Sequence, residues 1–421
     1  MNVLVIGAGL AGLTTAWQSA TAGHKTRLIA QGWGTTHWHA GCVDVLGYYK
    51  EQLVTSPEGV IGQLIIEQPQ HPYALTGLDT LAEALGTLQR LCAESGYPLH
   101  GSLERNWLLP TAVGTARPTC LAPETMIAGD LSQGTPMLIV GFQQFGDFYA
   151  QMVADNLAAL DIPARGVMLD LPTLAERKVL TGVILAQLME QGAFRNEVAR
   201  SVMPHLGDAE RIGFPAVLGL QRTMAVQADL EAQLARPIFE IPILPPSVPG
   251  MRLHHILRRA IERHGGRVQE GMLAVGAEMA DGRITATSAG SVQAVYTEAA
   301  ARQRRHHFDN YVLATGGLLG GGFITNFEGE VREVIFNLPV SAPSSRLNWF
   351  QPEFVTKTGH PIYQAGLQVN EQLQPVAENG RPLYNNLYAA GSTLAHCDVI
   401  RERSLEGVAL ATGYNVGRRV I

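Results

Sequence analysis

A glycine-rich turn close to the start of the chain has the residue types and the spacing of a phosphate-binding loop. A short apolar run over residues 2–6 leads directly into Gly7-Ala8-Gly9-Leu10-Ala11-Gly12. In such a motif the first glycine permits a tight turn, the second lets the backbone approach a pyrophosphate, and the third allows close helix–strand packing. The N–H groups and the dipole of the following helix favour a bound phosphate. We therefore expect Gly7, Gly9, Leu10, Ala11 and Gly12 to hold a nucleotide.

The position that usually recognises the ribose of such a nucleotide holds no acid. Roughly 20 residues beyond the third glycine a carboxylate is expected, but the sequence there is Ala30-Gln31-Gly32. Gln31 can still hydrogen-bond to a ribose hydroxyl, although more weakly than a carboxylate. The glycine motif therefore favours FAD, but the missing acid leaves FMN, which lacks the adenosine half, as an open alternative.

Two later turns indicate a flavin rather than a free nicotinamide nucleotide. Thr315-Gly316-Gly317 follows a predicted strand, and it looks like the second nucleotide contact of two-dinucleotide-binding flavoproteins. Gly391-Ser392 follows another predicted strand and looks like their C-terminal turn, with Asp398 a few residues further on. Either turn alone could be an ordinary strand end. All three turns in this order predict that Thr315, Gly316, Gly391, Ser392 and Asp398 contact the cofactor.

The elements needed to position these turns are those of an α/β fold. Buried strands and amphipathic helices are indicated by apolar periodicity: strands at 2–6, 25–30, 137–140, 167–171, 267–278, 283–297 and 387–390, and helices at 10–22, 78–95, 145–159, 174–203, 251–264 and 407–421. We expect a discontinuous Rossmann-type flavin-binding domain over 1–100 and 251–421. An inserted α+β substrate or cap domain is expected over 101–250.

Composition excludes several classes of protein. The 421 residues carry a formal charge of −6 with no basic stripe, which argues against nucleic acid as a partner. The four cysteines are widely spaced, so we expect buried free thiols and no metal or iron–sulfur site. We find no signal peptide and no apolar run of the roughly 20 residues that a spanning helix needs. Any membrane association is therefore expected through a partner.

Over its full length the chain resembles the family of anaerobic glycerol-3-phosphate dehydrogenase B subunits. The matching segments, besides the glycine turn, are 37–46 (HWHAGCVDVL), 71–73 (HPY), 244–253 (LPPSVPGMRL) and 390–392 (AGS). The segment 245–252 discriminates best, because generic flavoproteins do not share it. The chain departs from the family pattern at 394–398, where other members have more glycine.

The resemblance implies a flavoprotein component of a respiratory enzyme. Such proteins pair with an FAD-bearing A subunit and an iron–sulfur, membrane-anchoring C subunit. The complex oxidises glycerol 3-phosphate to dihydroxyacetone phosphate and passes electrons to quinone. FMN is the cofactor usually assigned to the family. The resemblance thus implies a cytoplasmic protein that is peripheral on the inner face of the cell membrane through its partners.

This chemistry needs a base for the hydroxyl proton and cations for the substrate phosphate. His39, in the loop after the second strand, is our preferred base or flavin contact; the alternative is a loop histidine with a structural role. Arg252 is expected to bind a phosphate, unless it is a solvated arginine at a helix start. Arg401 is expected near phosphate or flavin, unless it pairs locally with a glutamate. Gly41 and Asp44 are expected at the flavin, although Asp44 could instead cap a helix.

Two other functions stay open on the sequence. The chain could be a self-contained flavin dehydrogenase or reductase for another small substrate. It could also be an accessory protein that relays electrons or acts as a scaffold, while a partner performs the substrate chemistry.

Overall fold

The computed structural model describes residues 1–177, 179–280, 289–354, 356 and 358–419. Its helices, in chain order, are α1 (Leu10–Thr21), α2 (Pro57–Glu67), α3 (Pro72–Thr76), α4 (Leu78–Glu94), α5 (Glu124–Ile127), α6 (Ala150–Ala158), α7 (Pro172–Ala175), α8 (Gly182–Met189), α9 (Gly192–Val202), α10 (Thr223–Leu234), α11 (Val248–Arg263) and α12 (Leu405–Arg419). Short 3-10 turns occur at Thr35–His37, Leu131–Gln133, Met203–His205, Arg346–Asn348 and Pro361–Gln364.

The strands form several small sheets. They are β1 (Asn2–Ile6), β2 (Lys25–Ala30), β3 (Tyr48–Tyr49), β4 (Gln52–Leu53), β5 (Leu99–His100), β6 (Trp107–Pro110), β7 (Ala116–Thr119), β8 (Ala122–Pro123), β9 (Met137–Phe142), β10 (Ala164–Leu169), β11 (Arg211–Pro215), β12 (Ile238–Ile241), β13 (Arg267–Glu270), β14 (Leu273–Met279), β15 (Val292–Ala299), β16 (Arg302–His306), β17 (Asn310–Leu313), β18 (Phe323–Thr325), β19 (Val331–Glu333) and β20 (Leu387–Ala389).

The chain divides into two compact units. The first comprises 1–35, 44–88 and 256–421, and the second comprises 36–43 and 89–255. The expected functional division at residues 100 and 251 stays a prediction about the role of each part.

The first unit is built on a parallel five-stranded sheet of order β13-β2-β1-β17-β20. The apolar strand β1 lies at its centre and is paired with β2 and β17. Because the strands are parallel, their carboxyl ends meet at one edge, where ligands bind in open α/β sheets. A separate antiparallel sheet of β14, β15 and β16 belongs to the same unit.

Helices α1 and α12 pack closely because small residues face each other. The Thr15 hydroxyl donates to the Gly413 carbonyl oxygen at 3.1 Å, and a Cβ at Gly413 would lie 2.5 Å from the Ala11 carbonyl oxygen. Every residue of α1 from Leu10 to Ala20 is buried. This packing fixes the start of α1 at the edge of the sheet.

The second unit contains a parallel four-stranded sheet of order β10-β9-β11-β12 with its own apolar core. Strand β9 is buried throughout, and it pairs with β10 and β11. Smaller two-stranded sheets, β5–β8 and β6–β7, complete this unit.

Most predicted elements are present, with shifted ends. The helix predicted at 145–159 begins only at Ala150, because Phe145 and Phe148 are buried in an irregular segment before it. The region 174–203, which was expected to be mainly helical, holds the end of α7 and the helices α8 and α9. Parts of two predictions, 283–288 of a strand and 420–421 of a helix, lie outside the described residues. The four cysteines are free and buried, as predicted.

Candidate flavin site

The glycine turn between β1 and α1 has the geometry of a phosphate cradle. Gly7 has φ +117°, and a Cβ there would overlap the Ala314 carbonyl oxygen. A Cβ at Gly12 would overlap the Gly7 carbonyl oxygen, so the helix can approach the strand only without a side chain. Both glycines are therefore required by the backbone itself.

Gly9 leaves the start of α1 open. It is the N-cap in an extended conformation, and no side chain caps the helix. A Cβ at Gly9 would have Thr35 Oγ1, at 3.7 Å, as its nearest neighbour. The first N–H groups of a helix have no partner within the helix, so those of Leu10, Ala11 and Gly12 fit an anion. The residues present thus fit the phosphate of a flavin nucleotide.

The loop after β2 folds back onto this turn. Gly34 has φ +69°, and a Cβ there would lie 2.5 Å from the Gly9 nitrogen. Gln31, the first residue after β2, is exposed. Its expected contact with a ribose stays a prediction.

The second predicted turn lies directly beside the first. Gly316 has φ +74°, and a Cβ at Gly317 would lie 2.6 Å from the Ser392 carbonyl oxygen. Among the described residues, the buried Thr315 hydroxyl has no hydrogen-bond partner. An unsatisfied buried hydroxyl is costly, so this group fits a polar atom of a ligand.

The third predicted turn completes the group. Gly391 has φ +80°, and a Cβ there would lie 2.8 Å from the Ala11 Cβ. Its N–H donates to the Thr412 hydroxyl at 2.9 Å, which ties the turn to α12. The structure therefore brings together the three turns that the sequence singled out, at the carboxyl ends of β1, β17 and β20.

A cavity of about 760 Å³, lined mainly by residues with polar or charged side chains, lies in the same unit around the segment that follows the third turn. It contains two residues that the sequence singled out, Asp398 and Arg401. The lining residues are Tyr48, Tyr49, Lys50, Glu51, Gln68, Thr356, Gln364, His396, Asp398, Arg401 and Glu402.

Asp398 and Arg401 organise one wall of this cavity. The Arg401 N–H donates to the Asp398 carboxylate at 3.0 Å. The Arg401 guanidinium donates to the Thr358 carbonyl oxygen and to the Glu51 carboxylate, each at 3.3 Å. Arg401 therefore pairs with Glu51, which is distant in sequence.

Burial shifts the pKa values of Asp398 and His396, two of the groups that line the cavity. Burial raises the pKa of Asp398, and the negative charge of Glu402 adds to this. Burial lowers the pKa of His396, and His71 lowers it further. A neutral imidazole at pH 7 is suited to accept a proton. The sequence did not single out His396 as a candidate. The turn that places it in the cavity gives it a positive φ of +68°, and no neighbouring residue in the sequence signals this conformation.

Asp44 is buried, and its carboxylate faces Arg403 at 3.8 Å. The Gly407 N–H, in the first turn of α12, donates to the Asp44 carbonyl oxygen at 2.9 Å. The backbone of Asp44 therefore accepts a hydrogen bond from the first turn of this helix. Its predicted contact with flavin stays a prediction.

His39 and Gly41 belong to the second unit. The Gly41 N–H donates to His39 Nδ1 at 2.9 Å. Gly41 has φ +79°, and a Cβ there would overlap the Pro249 ring. Gly41 is thus required by packing against the segment that discriminates the family. The catalytic role of His39 stays a prediction.

Arg252 does not have the environment expected of a phosphate ligand. Its guanidinium is buried and forms a bidentate ion pair with Glu240, at 2.6 and 2.9 Å. It also donates twice to the Gly219 carbonyl oxygen, at 2.8 and 2.6 Å, and once to the Tyr97 hydroxyl at 3.3 Å. A guanidinium has five N–H donors, and these bonds use all of them. We therefore withdraw Arg252 as a phosphate ligand and assign it to the core of the second unit.

Among the described residues, no group of three or more His, Cys, Asp or Glu side chains is arranged to hold a metal ion.

No helix in the described part of the chain is long and apolar enough to cross a membrane.

The fold and the three glycine turns define a flavoprotein of the Rossmann type. The family model described as "FAD binding domain" matches residues 2–407. A probable B subunit of anaerobic glycerol-3-phosphate dehydrogenase from Halobacterium salinarum is 36% identical over 99% of this chain and 96% of its own length. The chain belongs to the FAD-binding domain family and, within it, to the family of anaerobic glycerol-3-phosphate dehydrogenase B subunits.

Other comparisons give the same family or a weaker likeness. The B subunit of the Pectobacterium atrosepticum enzyme is 29% identical over 100% of this chain and 98% of its own length. The solved 3-ketosteroid delta1-dehydrogenase of Sterolibacterium denitrificans covers 99% of this chain and 98% of its own, with 10% identity and a TM-score of 0.44. At that TM-score the likeness adds nothing to the assignment. The predicted fold class, family and flavin cofactor are confirmed, and the family model names FAD.

Proposed function

We propose that this chain is the flavoprotein B subunit of an anaerobic glycerol-3-phosphate dehydrogenase. The enzyme oxidises glycerol 3-phosphate to dihydroxyacetone phosphate. The observation that carries the proposal is the combination of a full-length likeness to proteins of that name with a glycine cradle that fits a flavin phosphate.

The reaction removes two electrons and two protons from a secondary alcohol. FAD held by the three glycine turns would supply the acceptor for the hydride from C2 of the substrate. The hydroxyl proton needs a base, and His396 is our first candidate because its pKa is lowered and it lines the cavity beside Asp398 and Arg401. His39 is the second candidate. Arg401 and Lys50 are the cavity cations that we propose for the substrate phosphate.

A second role is favoured by the charges of the same cavity. Its lining includes Glu51, Asp398 and Glu402, and Arg401 is already paired with Glu51. This balance is unfavourable for a doubly charged phosphate. The alternative is therefore an electron-relay role, in which the chain accepts electrons while a partner oxidises the substrate.

Anaerobic titration with glycerol 3-phosphate separates these roles. The absorbance of the bound flavin is followed first with the isolated chain and then with the complete enzyme. If the chain oxidises the substrate, the flavin bleaches in both samples. If it relays electrons, the flavin bleaches only in the complete enzyme. A flavin that bleaches in neither sample contradicts the substrate assignment.

We further propose that the chain works beside an FAD-bearing A subunit and an iron–sulfur C subunit. The latter would link it to quinone at the inner face of the cell membrane. Large apolar side chains that are exposed between residues 319 and 354 support docking of a partner protein, because apolar surface in contact with water is unfavourable. Phe327, Leu347 and Phe354 are each more than nine-tenths exposed. Replacing these three by serine should reduce co-purification of the partners and leave the flavin content unchanged.

A further inference from the structure

Strand β13 supplies an acid at the position where β2 lacks one. β13 pairs with β2 in parallel register, and Glu270 is the partner of Ala30, the last residue of β2. Both residues lie at the carboxyl end of their strand. Neighbouring strands are about 4.8 Å apart, so the Glu270 carboxylate begins one strand from the usual ribose-binding position.

The loop after β2 connects this acid to the glycine turn. The Trp33 indole Nε1–H donates to Glu270 Oε2 at 2.9 Å. The next residue, Gly34, packs against the Gly9 nitrogen, as described above. Glu270 is therefore held at the same edge of the sheet as the phosphate cradle. Its side chain is 21% exposed to solvent.

We propose that Glu270 replaces the missing β2 carboxylate and accepts hydrogen bonds from the adenosine ribose of FAD. The proposal rests on the assignment of FAD as the cofactor. Arg258 lies 3.4 Å from Glu270 and partly balances its charge. Trp33, which is half exposed, orients the carboxylate. Glu270 thus selects FAD over FMN, because FMN has no adenosine ribose.

Cofactor binding to the flavin-depleted full chain tests this assignment. FAD and FMN are titrated separately and followed by flavin fluorescence. We expect Glu270→Gln to weaken FAD binding by about tenfold or more, since hydrogen bonds to a charged group are lost. FMN binding should stay within about twofold of wild type. Trp33→Phe should weaken FAD binding by a smaller factor.

Glu262→Gln is the matched control. Glu262 is the other acid that contacts Arg258, at 3.0 Å, but it lies on α11 and does not end a strand. This variant should bind both flavins as the wild type does. The proposal is overturned if Glu270→Gln binds FAD normally, if it loses FAD and FMN equally, or if the wild type does not prefer FAD. Each outcome is read from binding alone, so it does not depend on whether glycerol 3-phosphate is the substrate.

Discussion

Removing the Arg252 side chain should destabilise the second unit strongly. Glu240 is 1% exposed, and without Arg252 its carboxylate keeps only neutral donors: the Leu218 N–H at 2.8 Å and the Thr125 hydroxyl at 2.7 Å. Breaking a buried ion pair on one side costs about 3–5 kcal/mol, because an uncompensated charge remains. We expect Arg252→Met, which retains apolar volume, to lose free energy of unfolding in this range.

The double variant Arg252→Met, Glu240→Gln isolates the cause. The glutamine oxygen can still accept from the Leu218 N–H, and no buried charge remains. The double variant should therefore be more stable than Arg252→Met alone. Urea unfolding followed by tryptophan fluorescence and circular dichroism measures both variants. Thermal unfolding of the same variants should show a shift in Tm of about 2–4 °C per kcal/mol, the value for a domain of roughly 150–250 residues.

The same variants separate a structural role from a ligand role. Folded Arg252→Met should retain its flavin and its affinity for glycerol 3-phosphate. The reasoning would be refuted by a variant that unfolds like the wild type but binds a phosphorylated ligand much more weakly.

Three further results are expected. Gly12→Ala should abolish flavin binding, because the new Cβ would overlap the Gly7 carbonyl oxygen. Gly59→Ala on α2 is the control, since a Cβ there meets no neighbouring atom, and it should bind flavin normally. The molar ratio of flavin to purified protein measures both variants. Arg401→Met should raise the KM for glycerol 3-phosphate in steady-state assays by about tenfold, because a charge-assisted contact with the phosphate is lost. An unchanged KM would show that Arg401 does not bind the substrate. The lowered pKa of His396 means that the native state binds fewer protons than the unfolded state below the ordinary histidine pKa of 6.5. Stability should therefore rise as pH increases through 6.5 and then level off. His396→Gln should flatten this rise in urea unfolding, whereas His307→Gln, at an exposed position, should not.

Local signals were enough to predict the core of the flavin-binding unit. β1, the glycine turn, α1 and β2 follow each other within 30 residues, so periodicity and glycine spacing are sufficient. The turns at 315–317 and 391–392 were predictable for a related reason, since positive φ or close backbone contact requires glycine there.

Features that depend on distant partners were not predictable. Arg252 was expected at a phosphate or in solvent, but its pair with Glu240 comes from two elements that meet only in the folded chain. His254 and His306 have polar neighbours in the sequence, which is typical of a solvated face, yet both are buried. The His306 ring lies 2.8 Å from the Thr297 hydroxyl, a partner on another strand. The register that places Glu270 beside Ala30 joins segments about 240 residues apart. A single sequence does not carry that pairing.

Identification of the cofactor released from the purified protein tests the central claim most directly. Gentle denaturation followed by chromatography and mass spectrometry gives both the identity and the amount of flavin. The glycine cradle and the family assignment predict FAD, at close to one molecule per chain. Release of no flavin, or of FMN alone, would contradict the account.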